Sequence, residues 1–171
     1  LVKEGVNVAI TSRSQEAAEK VAKKLNDLGK GEAIGIESDV RSYESQVRAV
    51  EVTTMKFGAL DVLIANAGVG HFASIEEMTL KQWNDVIDIN LTGVFYSVKA
   101  AIPALKASQG YIITIASLAG TNFFATGSAY NASKFGLVGF TQAVMLDVRQ
   151  YGIKTTTIMP GSVATYFNNH T

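Results

Sequence analysis

Short apolar runs rich in β-branched residues alternate along the whole chain with longer segments in which apolar residues recur every three or four positions. The runs predict five strands, at 6–11, 33–37, 61–65, 111–116 and 154–159. The segments between them predict helices, which supply the crossover connections that parallel strands require. Right-handed crossovers place such helices on both faces of a sheet. Residues 1–171 are therefore predicted to form a single α/β domain with a doubly wound parallel sheet in three layers.

Local signals refine three of these elements. Thr79 and Gln82 have the spacing of a capping box, which predicts that a helix begins there. Pro103 lies inside the helical pattern of residues 91–105 and predicts a kink or an early end. The strand at 61–65 has an apolar core flanked by turn residues, which is typical of a parallel strand inside a sheet. We therefore expect this strand to be buried on both faces.

The composition narrows the class of protein. Basic and acidic side chains number 15 each, which argues against a nucleic-acid-binding surface or a basic membrane patch. The chain has no cysteine, which excludes thiolate catalysis and cysteine-ligated metals, and its two histidines bracket no metal motif. No apolar run approaches the roughly 20 residues of a membrane span. We expect a cytoplasmic protein that binds no metal, nucleic acid or membrane.

The carboxyl ends of the predicted strands carry most of the candidate functional residues. In open parallel sheets, ligands bind beyond these ends. Here the ends carry Ser12-Arg13, Asp39-Val40, Asn66-Ala67-Gly68, Ser117 and Pro160-Gly161. The small residues at 66–68 would let a ligand approach the backbone closely, although a plain β-to-α turn would also use them.

Four polar side chains are candidates for chemistry. Tyr130 and Lys134 lie four positions apart in a long helix predicted over 130–148, so they share a face. An ammonium beside a tyrosine hydroxyl favours the phenolate form and makes a usable general acid and base, but a half-buried tyrosine over a solvated lysine has the same spacing. Ser117 could hold a substrate carbonyl oxygen or be an ordinary strand-end serine. Asn90, in a largely apolar helical stretch, indicates either a function or a packing contact.

Taken together, the order and spacing of these residues resemble the short-chain dehydrogenase/reductase family over nearly the whole chain. The resemblance rests on Ala65-Asn66-Ala67-Gly68, Asn90 with Gly93, Ser117, Tyr130-Asn131-Ala132-Ser133-Lys134 and Pro160-Gly161-Ser162-Val163-Ala164-Thr165. The sequence is similar to bacterial 3-oxoacyl-[acyl-carrier-protein] reductases and to sepiapterin-reductase-like members. The family's glycine-rich turn, TGxxxGxG, does not occur in it. The resemblance therefore implies a Rossmann-like sheet that lacks the first strand with this turn and the last strand, in a chain truncated at both ends.

The resemblance implies an NADP(H)-dependent enzyme that interconverts a ketone and a secondary alcohol by hydride transfer. Tyr130 would be the general acid and base, and Lys134 would favour its phenolate form and bind the nicotinamide ribose. Ser117 would orient the carbonyl group. Asn90 would hold a water molecule in a proton relay to Lys134. This activity is expected of the full-length protein and is doubtful for the 171 residues alone.

The same resemblance implies a set of cofactor-binding residues: Ser12, Arg13, Asp39, Val40, Asn66, Ala67, Gly68, Tyr130, Lys134, Pro160, Gly161, Val163 and Thr165. Asp39 would hold the adenine amino group, and Val163 and Thr165 would hold the carboxamide. The first predicted strand ends in Thr11-Ser12-Arg13-Ser14, without the acidic residue that binds the ribose 2′-hydroxyl in NAD-preferring proteins. Because Arg13 could fork onto a 2′-phosphate, NADP(H) is expected rather than NAD(H), unless Arg13 is only a surface residue at a helix start.

Apolar residues on two predicted helices indicate that the protein forms an oligomer. The segments 91–105 and 130–148 carry apolar residues on more than one face, including Phe95, Phe140 and Val144. One face suits the sheet, and the remainder would be exposed in a monomer. A homodimer or homotetramer through these helices is therefore expected.

Two other functions fit the same motifs. A catalytically silent member of the fold could bind the dinucleotide as a sensor or scaffold, although such a protein would not need all four catalytic residue types. A structural or interaction protein could share the fold alone. Cofactor binding and turnover of a small carbonyl substrate separate the three possibilities.

Overall fold

Five parallel strands and five α-helices alternate through residues 1–163 and Phe167, the part of the chain that the computed structural model describes. The strands are β1 Val8–Ser12, β2 Ala33–Glu37, β3 Val62–Ala65, β4 Tyr111–Ile115 and β5 Lys154–Ile158. The helices are α1 Gln15–Asn26, α2 Tyr43–Phe57, α3 Leu80–Ile87, α4 Gly93–Ser108 and α5 Ser128–Val148. Short 3₁₀ turns occupy Val2–Glu4, Leu118–Gly120 and Arg149–Tyr151, and a π-helical segment occupies Asp88–Thr92. The α/β class with parallel strands is confirmed, and each predicted strand lies within two residues of its position in the structure.

The strands form two parallel sheets rather than one. β1 pairs with β2, with Val8 opposite Ala33. β3, β4 and β5 form the second sheet in that order, with Val62 opposite Tyr111 and Tyr111 opposite Lys154. Within the described residues no strand hydrogen-bonds to both β1 and β3. The two sheets are therefore held together by the helices, chiefly through packing of α2 against α4.

Helices cover the two sheets differently. α1 lies against β2 so closely that a Cβ at Gly35 would be 2.4 Å from the backbone of Ala18, so only glycine permits this packing. On the opposite face of β2, Ile36 is also buried. The second sheet has its core on one side, where Leu63 and Ala65 of β3 pack with α4 and α5.

The expectation that β3 is buried on both faces is wrong. Val62 is 47% exposed and Ile64 is 45% exposed. Both side chains point away from α4, because side chains alternate along a strand and Leu63 and Ala65 face the helix. Among the described residues no helix packs on their side of the second sheet, so one face of an apolar strand stays accessible.

The helix ends follow the local signals with one exception. Thr79 Oγ1 accepts a hydrogen bond from Gln82 N (3.2 Å), and Thr79 N donates to Gln82 Oε1 (3.0 Å), so the predicted capping box is confirmed. An early end at Pro103 is wrong, because α4 continues to Ser108. Ala101 and Leu105 on either side of the proline are fully buried, and this burial outweighs the loss of one backbone hydrogen bond.

In the described part of the chain, no helix is both long enough and apolar enough to cross a lipid bilayer.

Candidate active site

Lys134 lies buried beneath the carboxyl ends of the second sheet. It is on the inner face of α5, and its Nζ donates a hydrogen bond to the backbone carbonyl of Ile115, the last residue of β4 (2.8 Å). Nζ is 5.6 Å from the centre of the Tyr130 ring, which lies one helical turn earlier. Burial lowers the pKa of Lys134 to about 8. The spacing of Tyr130 and Lys134 therefore brings an ammonium to the tyrosine, as predicted, but the ammonium is buried rather than solvated.

Asn90 connects this pair to the loop after β3. It is completely buried in the π-helical segment between α3 and α4. Its Oδ1 accepts a hydrogen bond from Val69 N (2.8 Å), and its Nδ2 donates to Val69 O (2.9 Å) and to Ser133 Oγ (3.1 Å). Ser133 Oγ donates in turn to the backbone carbonyl of Tyr130 (2.8 Å). Asn90 thus fixes the loop after β3 against the turn of α5 that carries Tyr130.

Gly68 lies where these groups meet. A Cβ at this position would be 3.5 Å from Asn90 Oδ1 and 3.8 Å from Lys134 Nζ. A larger side chain would project into the space beside both groups. The small residues predicted at this strand end therefore leave room directly next to the buried ammonium.

Ser117 follows β4 two residues after Ile115. Its Oγ accepts a hydrogen bond from Ala119 N (3.1 Å) and so caps the 3₁₀ turn that begins at Leu118. This turn packs on α5, where a Cβ at Gly120 would be 2.9 Å from the Lys134 carbonyl oxygen. Among the described residues, neither the Ser117 hydroxyl nor the Tyr130 hydroxyl donates a hydrogen bond. Within that part of the chain, both hydroxyl protons are therefore unused.

The predicted nicotinamide-binding residues follow β5. Pro160 O accepts a hydrogen bond from Leu118 N (3.0 Å), which joins this segment to the residue after Ser117. A Cβ at Gly161 would lie 3.3 Å from the Leu118 side chain. Val163 is exposed. Thr165 lies outside the described residues.

The predicted adenosine-binding residues lie at the ends of β1, β2 and β3. Arg41 donates to both carboxylate oxygens of Asp39, with Nη2 2.6 Å from Oδ2, and this contact holds the pKa of Asp39 below its usual value. An adenine amino group would have to share that carboxylate with Arg41. Arg13 is exposed and forms no ion pair within the described part of the chain. Ser12 Oγ accepts a long hydrogen bond from Ser14 N (3.4 Å).

The remaining predicted adenosine-binding residues are Val40, Asn66 and Ala67. Val40 packs on the start of α4, where a Cβ at Gly93 would be 2.9 Å from Val40 Cγ2. Asn66 and Ala67 are exposed directly after β3. The structure thus places the described candidate residues at the carboxyl ends of strands or on the helical segments against them. It brings Asn90, Tyr130 and Lys134 together in one group, in which Ser133 links Asn90 to the Tyr130 carbonyl and Lys134 donates to Ile115 O.

Sequence reasoning missed two components of this group. The acceptor of the Lys134 ammonium is a backbone carbonyl, Ile115 O, which no side-chain pattern indicates. Ser133 links Asn90 to Tyr130. It is a buried polar residue on the same helix face as Lys134 and Leu137, and that periodicity could have identified it.

Comparison with known proteins gives a consistent result. The family model described as short chain dehydrogenase matches residues 1–171. Trans-4-hydroxycyclohexanecarboxylate dehydrogenase of Sinomonas cyclohexanicum is 38% identical over 96% of the chain. The 3-oxoacyl-[acyl-carrier-protein] reductase of a Synechocystis strain is 35% identical over 94% of it. The chain spans 66% of the length of each of these two relatives.

The comparison with solved structures agrees with the sequence comparison. The structure of an alcohol dehydrogenase from the archaeon Thermococcus sibiricus, complexed with 5-hydroxy-NADP, superposes with a TM-score of 0.92 at 27% identity. The alignment covers 97% of this chain and 70% of that one. The predicted resemblance, including that to bacterial oxoacyl reductases, is confirmed.

The buried Lys134 predicts a specific pH dependence of stability. Because its pKa is lowered from 10.5 to about 8, the unfolded chain binds more protons than the folded chain between these values. The contribution of Lys134 to the free energy of unfolding is therefore lowest below pH ~8, and it rises as the pH increases towards ~10.5. Between pH ~7.5 and pH ~10, the free energy of unfolding of the wild type should rise by about 2 kcal/mol more than that of Lys134→Met.

Urea unfolding at the two pH values measures this difference. Replacing the exposed Lys20 of α1 by methionine is the matched control and should leave the pH dependence of the wild type unchanged. Parallel pH dependence in the wild type and Lys134→Met would show that the ammonium is not desolvated.

Proposed function

The chain belongs to the short-chain dehydrogenase family, and from this premise we propose that the protein interconverts a ketone and a secondary alcohol with NADP(H). The observation that carries the proposal is the buried Lys134 ammonium beside a tyrosine whose hydroxyl makes no hydrogen bond within the described residues. The names of the two relatives, an alcohol dehydrogenase of a cyclohexane ring and an oxoacyl reductase, support this chemistry. The full-length protein is the form to which the proposal applies.

Four side chains carry the reaction in this proposal. The Ser117 hydroxyl donates to the carbonyl oxygen and orients the substrate. Tyr130 Oη gives its proton to the same oxygen during reduction and recovers one during oxidation. The Lys134 ammonium stabilises the phenolate that remains. Asn90 fixes the turn of α5 behind Tyr130 and supports a water molecule that returns a proton through Lys134.

The residues present fit a dinucleotide, which supplies or accepts the hydride when bound. The Lys134 ammonium has three N–H donors, and among the described residues it uses one, for Ile115 O. The other two suit ribose hydroxyls. The exposed Asn66 and Ala67, with Gly68 beside the ammonium, leave space along the strand end for the adenosine half.

Arg13 supports NADP(H) rather than NAD(H). Arg13 is exposed, and among the described residues it forms no ion pair, while the Asp39 carboxylate is paired with Arg41. A guanidinium free at the end of β1 can form paired hydrogen bonds with a 2′-phosphate. The bound 5-hydroxy-NADP named for the Thermococcus sibiricus enzyme is in keeping with this preference.

Tyr130→Phe should abolish turnover and leave cofactor binding intact. The variant loses one hydroxyl, while its ring still packs against Phe72. Loss of the general acid should slow ketone reduction by about 10²–10⁴-fold or more. Loss of NADPH absorbance with a panel of ketones measures turnover, and Trp83 fluorescence measures cofactor binding. Tyr43→Phe, on α2, is the matched control and should retain activity.

The same assays separate the alternative functions. NADPH binding by the wild type without turnover of any ketone would favour a sensor or scaffold. Absence of both would favour a structural or interaction protein. Full activity of Tyr130→Phe would show that Tyr130 is not the general acid.

Arg13→Ala should reduce the preference for NADPH over NADH by about ten- to hundredfold, because one charge-assisted hydrogen-bonding group is lost. The ratio of kcat/KM for the two cofactors measures the effect, and kcat with saturating NADPH should change little. Lys20→Ala, which removes an exposed cation from α1, should leave the ratio unchanged. An unaltered ratio in Arg13→Ala would contradict the assignment of NADP(H) to this residue.

We also propose a homodimer or homotetramer built through α4 and α5. Phe95, Met145 and Leu146 on these helices are exposed apolar residues. Phe95, Ile102, Phe140 and Val144 line a groove of about 480 Å³ between the two helices. A second copy of the chain would remove this apolar surface from water.

Phe95→Glu should convert the assembly to a monomer, because it places a carboxylate in the apolar contact. Light scattering at micromolar concentration measures the mass. Met55→Glu, an exposed apolar position on α2, is the control and should keep the oligomer. A monomeric wild type would contradict this proposal.

A further inference from the structure

Two phenylalanine rings contact the proposed catalytic tyrosine, and a third packs on one of them. The Phe72 ring meets the Tyr130 ring edge to face, with centres 5.6 Å apart and planes at 64°. Phe124 packs on Phe72 at 5.9 Å, and Phe167 lies 6.0 Å from Tyr130. Phe72 and Phe124, which we call the aromatic wall, are partly exposed and belong to no buried core cluster. An accessible apolar surface therefore lies directly beside the proposed proton donor.

The aromatic wall is assembled from two loops that are joined to each other. Phe72 is on the loop between β3 and α3, and Phe124 is on the loop between β4 and α5. Ala73 N donates a hydrogen bond to Thr126 O (3.0 Å), which joins the loops. Thr126 has a φ of 65°, a left-handed conformation that is rare for a β-branched residue. Such backbone conformations persist where surrounding contacts hold them, typically near functional sites.

Asn131 holds the second loop in place. It follows Tyr130 directly and is only 8% exposed. Its Nδ2 donates to Ala119 O (2.8 Å) and Asn122 O (2.9 Å), and its Oδ1 accepts a long hydrogen bond from Phe124 N (3.4 Å). One carboxamide thus ties three backbone sites of this loop to the turn of α5 that carries Tyr130.

The loop has little freedom around this carboxamide. A Cβ at Gly127 would lie 2.5 Å from both Asn131 Oδ1 and the Phe124 ring. A Cβ at Gly70 would lie 2.8 Å from the Phe72 ring. Phe167 and residues 68–71 also line a cavity of about 110 Å³. This cavity is small beside the ~300–1,000 Å³ that drug-sized ligands fill, which favours a compact substituent.

We propose, on the basis of the ketone and alcohol chemistry above, that the aromatic wall binds a compact apolar ring on the substrate. The substrates are then alicyclic or aryl ketones and the matching secondary alcohols. Asn131 is a positioning residue that sets the distance of Phe124 from Tyr130 and Phe72. Aromatic faces suit such rings because they bury apolar area and stack or meet edge to face at low entropic cost.

Cyclohexanone and acetone test the aromatic wall, since they share the reacting group and differ in the ring. In the full-length wild type, kcat/KM should be higher for cyclohexanone. Phe72→Ala and Phe124→Ala should lower it by about 10–100-fold, mainly through KM, with little change for acetone. Phe72→Leu should retain more of the preference than Phe72→Ala, because it keeps apolar volume. Phe123→Ala is the matched control and should change neither ketone, because Phe123 is 86% exposed and makes no ring contact within the described residues.

Asn131→Ala and Asn131→Asp test the positioning role. Aspartate keeps the acceptor for Phe124 N and loses both donors, so both variants should raise KM for cyclohexanone. The kcat for acetone should stay near that of the wild type, and circular dichroism should show a folded protein. Equal losses with both ketones would mean that Asn131 only stabilises the fold and would overturn its positioning role.

Calorimetric titration with cyclohexanol separates this proposal from the proposed chemistry. Binding should be lost in Phe72→Ala and kept in Phe123→Ala, whether or not turnover occurs. Ring binding that follows this pattern without turnover would refute the ketone chemistry and support the aromatic wall. Turnover with no ring preference, or cyclohexanol binding that is indifferent to Phe72 and Phe124, would overturn the aromatic wall and leave the chemistry standing.

Discussion

The buried ammonium of Lys134 is the constraint on which the arrangement of the site depends. An ammonium taken out of water is costly unless polar groups replace its hydration. In the described part of the chain that replacement comes from Ile115 O, a carbonyl at the point where β4 ends. A shift of α5 by one residue along its axis would rotate Nζ away from this carbonyl. The hydrogen bond therefore fixes the register of α5 against the sheet. It also fixes the position of Tyr130, which lies one helical turn before Lys134.

Two small residues let backbone segments pack closely around Lys134. Gly120 lets the 3₁₀ turn after Ser117 lie on α5, because a Cβ there would be 2.9 Å from the Lys134 carbonyl oxygen. Gly68 keeps open the space between Asn90 and Lys134. The hydrogen bonds of Asn90 to both backbone groups of Val69 then hold the loop after β3 at this distance. Gly120 and Asn90 thus hold two different loops against α5.

The strand–helix alternation was sufficient to predict the class of fold and the edge at which the candidate residues meet. Strand periodicity and turn residues are local properties, so the positions of β2 and β5 followed from short segments. The accessible face of β3 did not, because burial depends on which other elements are present and not on the apolar run itself. The continuation of α4 through Pro103 was missed for the same reason, since burial on either side overrides the local preference.

In the site, too, the sequence pattern predicts which side chains share a face but not which groups they contact in the fold. The spacing of Tyr130 and Lys134 predicts that they share a helix face, and they do. The partner of Lys134 could not be predicted, because Ile115 contributes a backbone carbonyl. The helix periodicity could indicate that Ser133 is buried, but not its contact with Asn90, 43 residues earlier. Sequence motifs therefore indicate candidate groups for chemistry, while the hydrogen bonds that orient those groups become visible only in the fold.

The candidate residues of the proposed enzyme lie at the ends of both groups of strands. Arg13 and Asp39 lie after β1 and β2, whereas Asn90, Tyr130 and Lys134 lie on the helical segments that pack with the second sheet. The two halves meet at Val40, which packs on Gly93 so closely that a Cβ would be 2.9 Å away. Gly93 begins α4 directly after the π-helical segment that holds Asn90. A side chain at position 93 would displace Val40, so this glycine keeps the segment after β2 close to the start of α4.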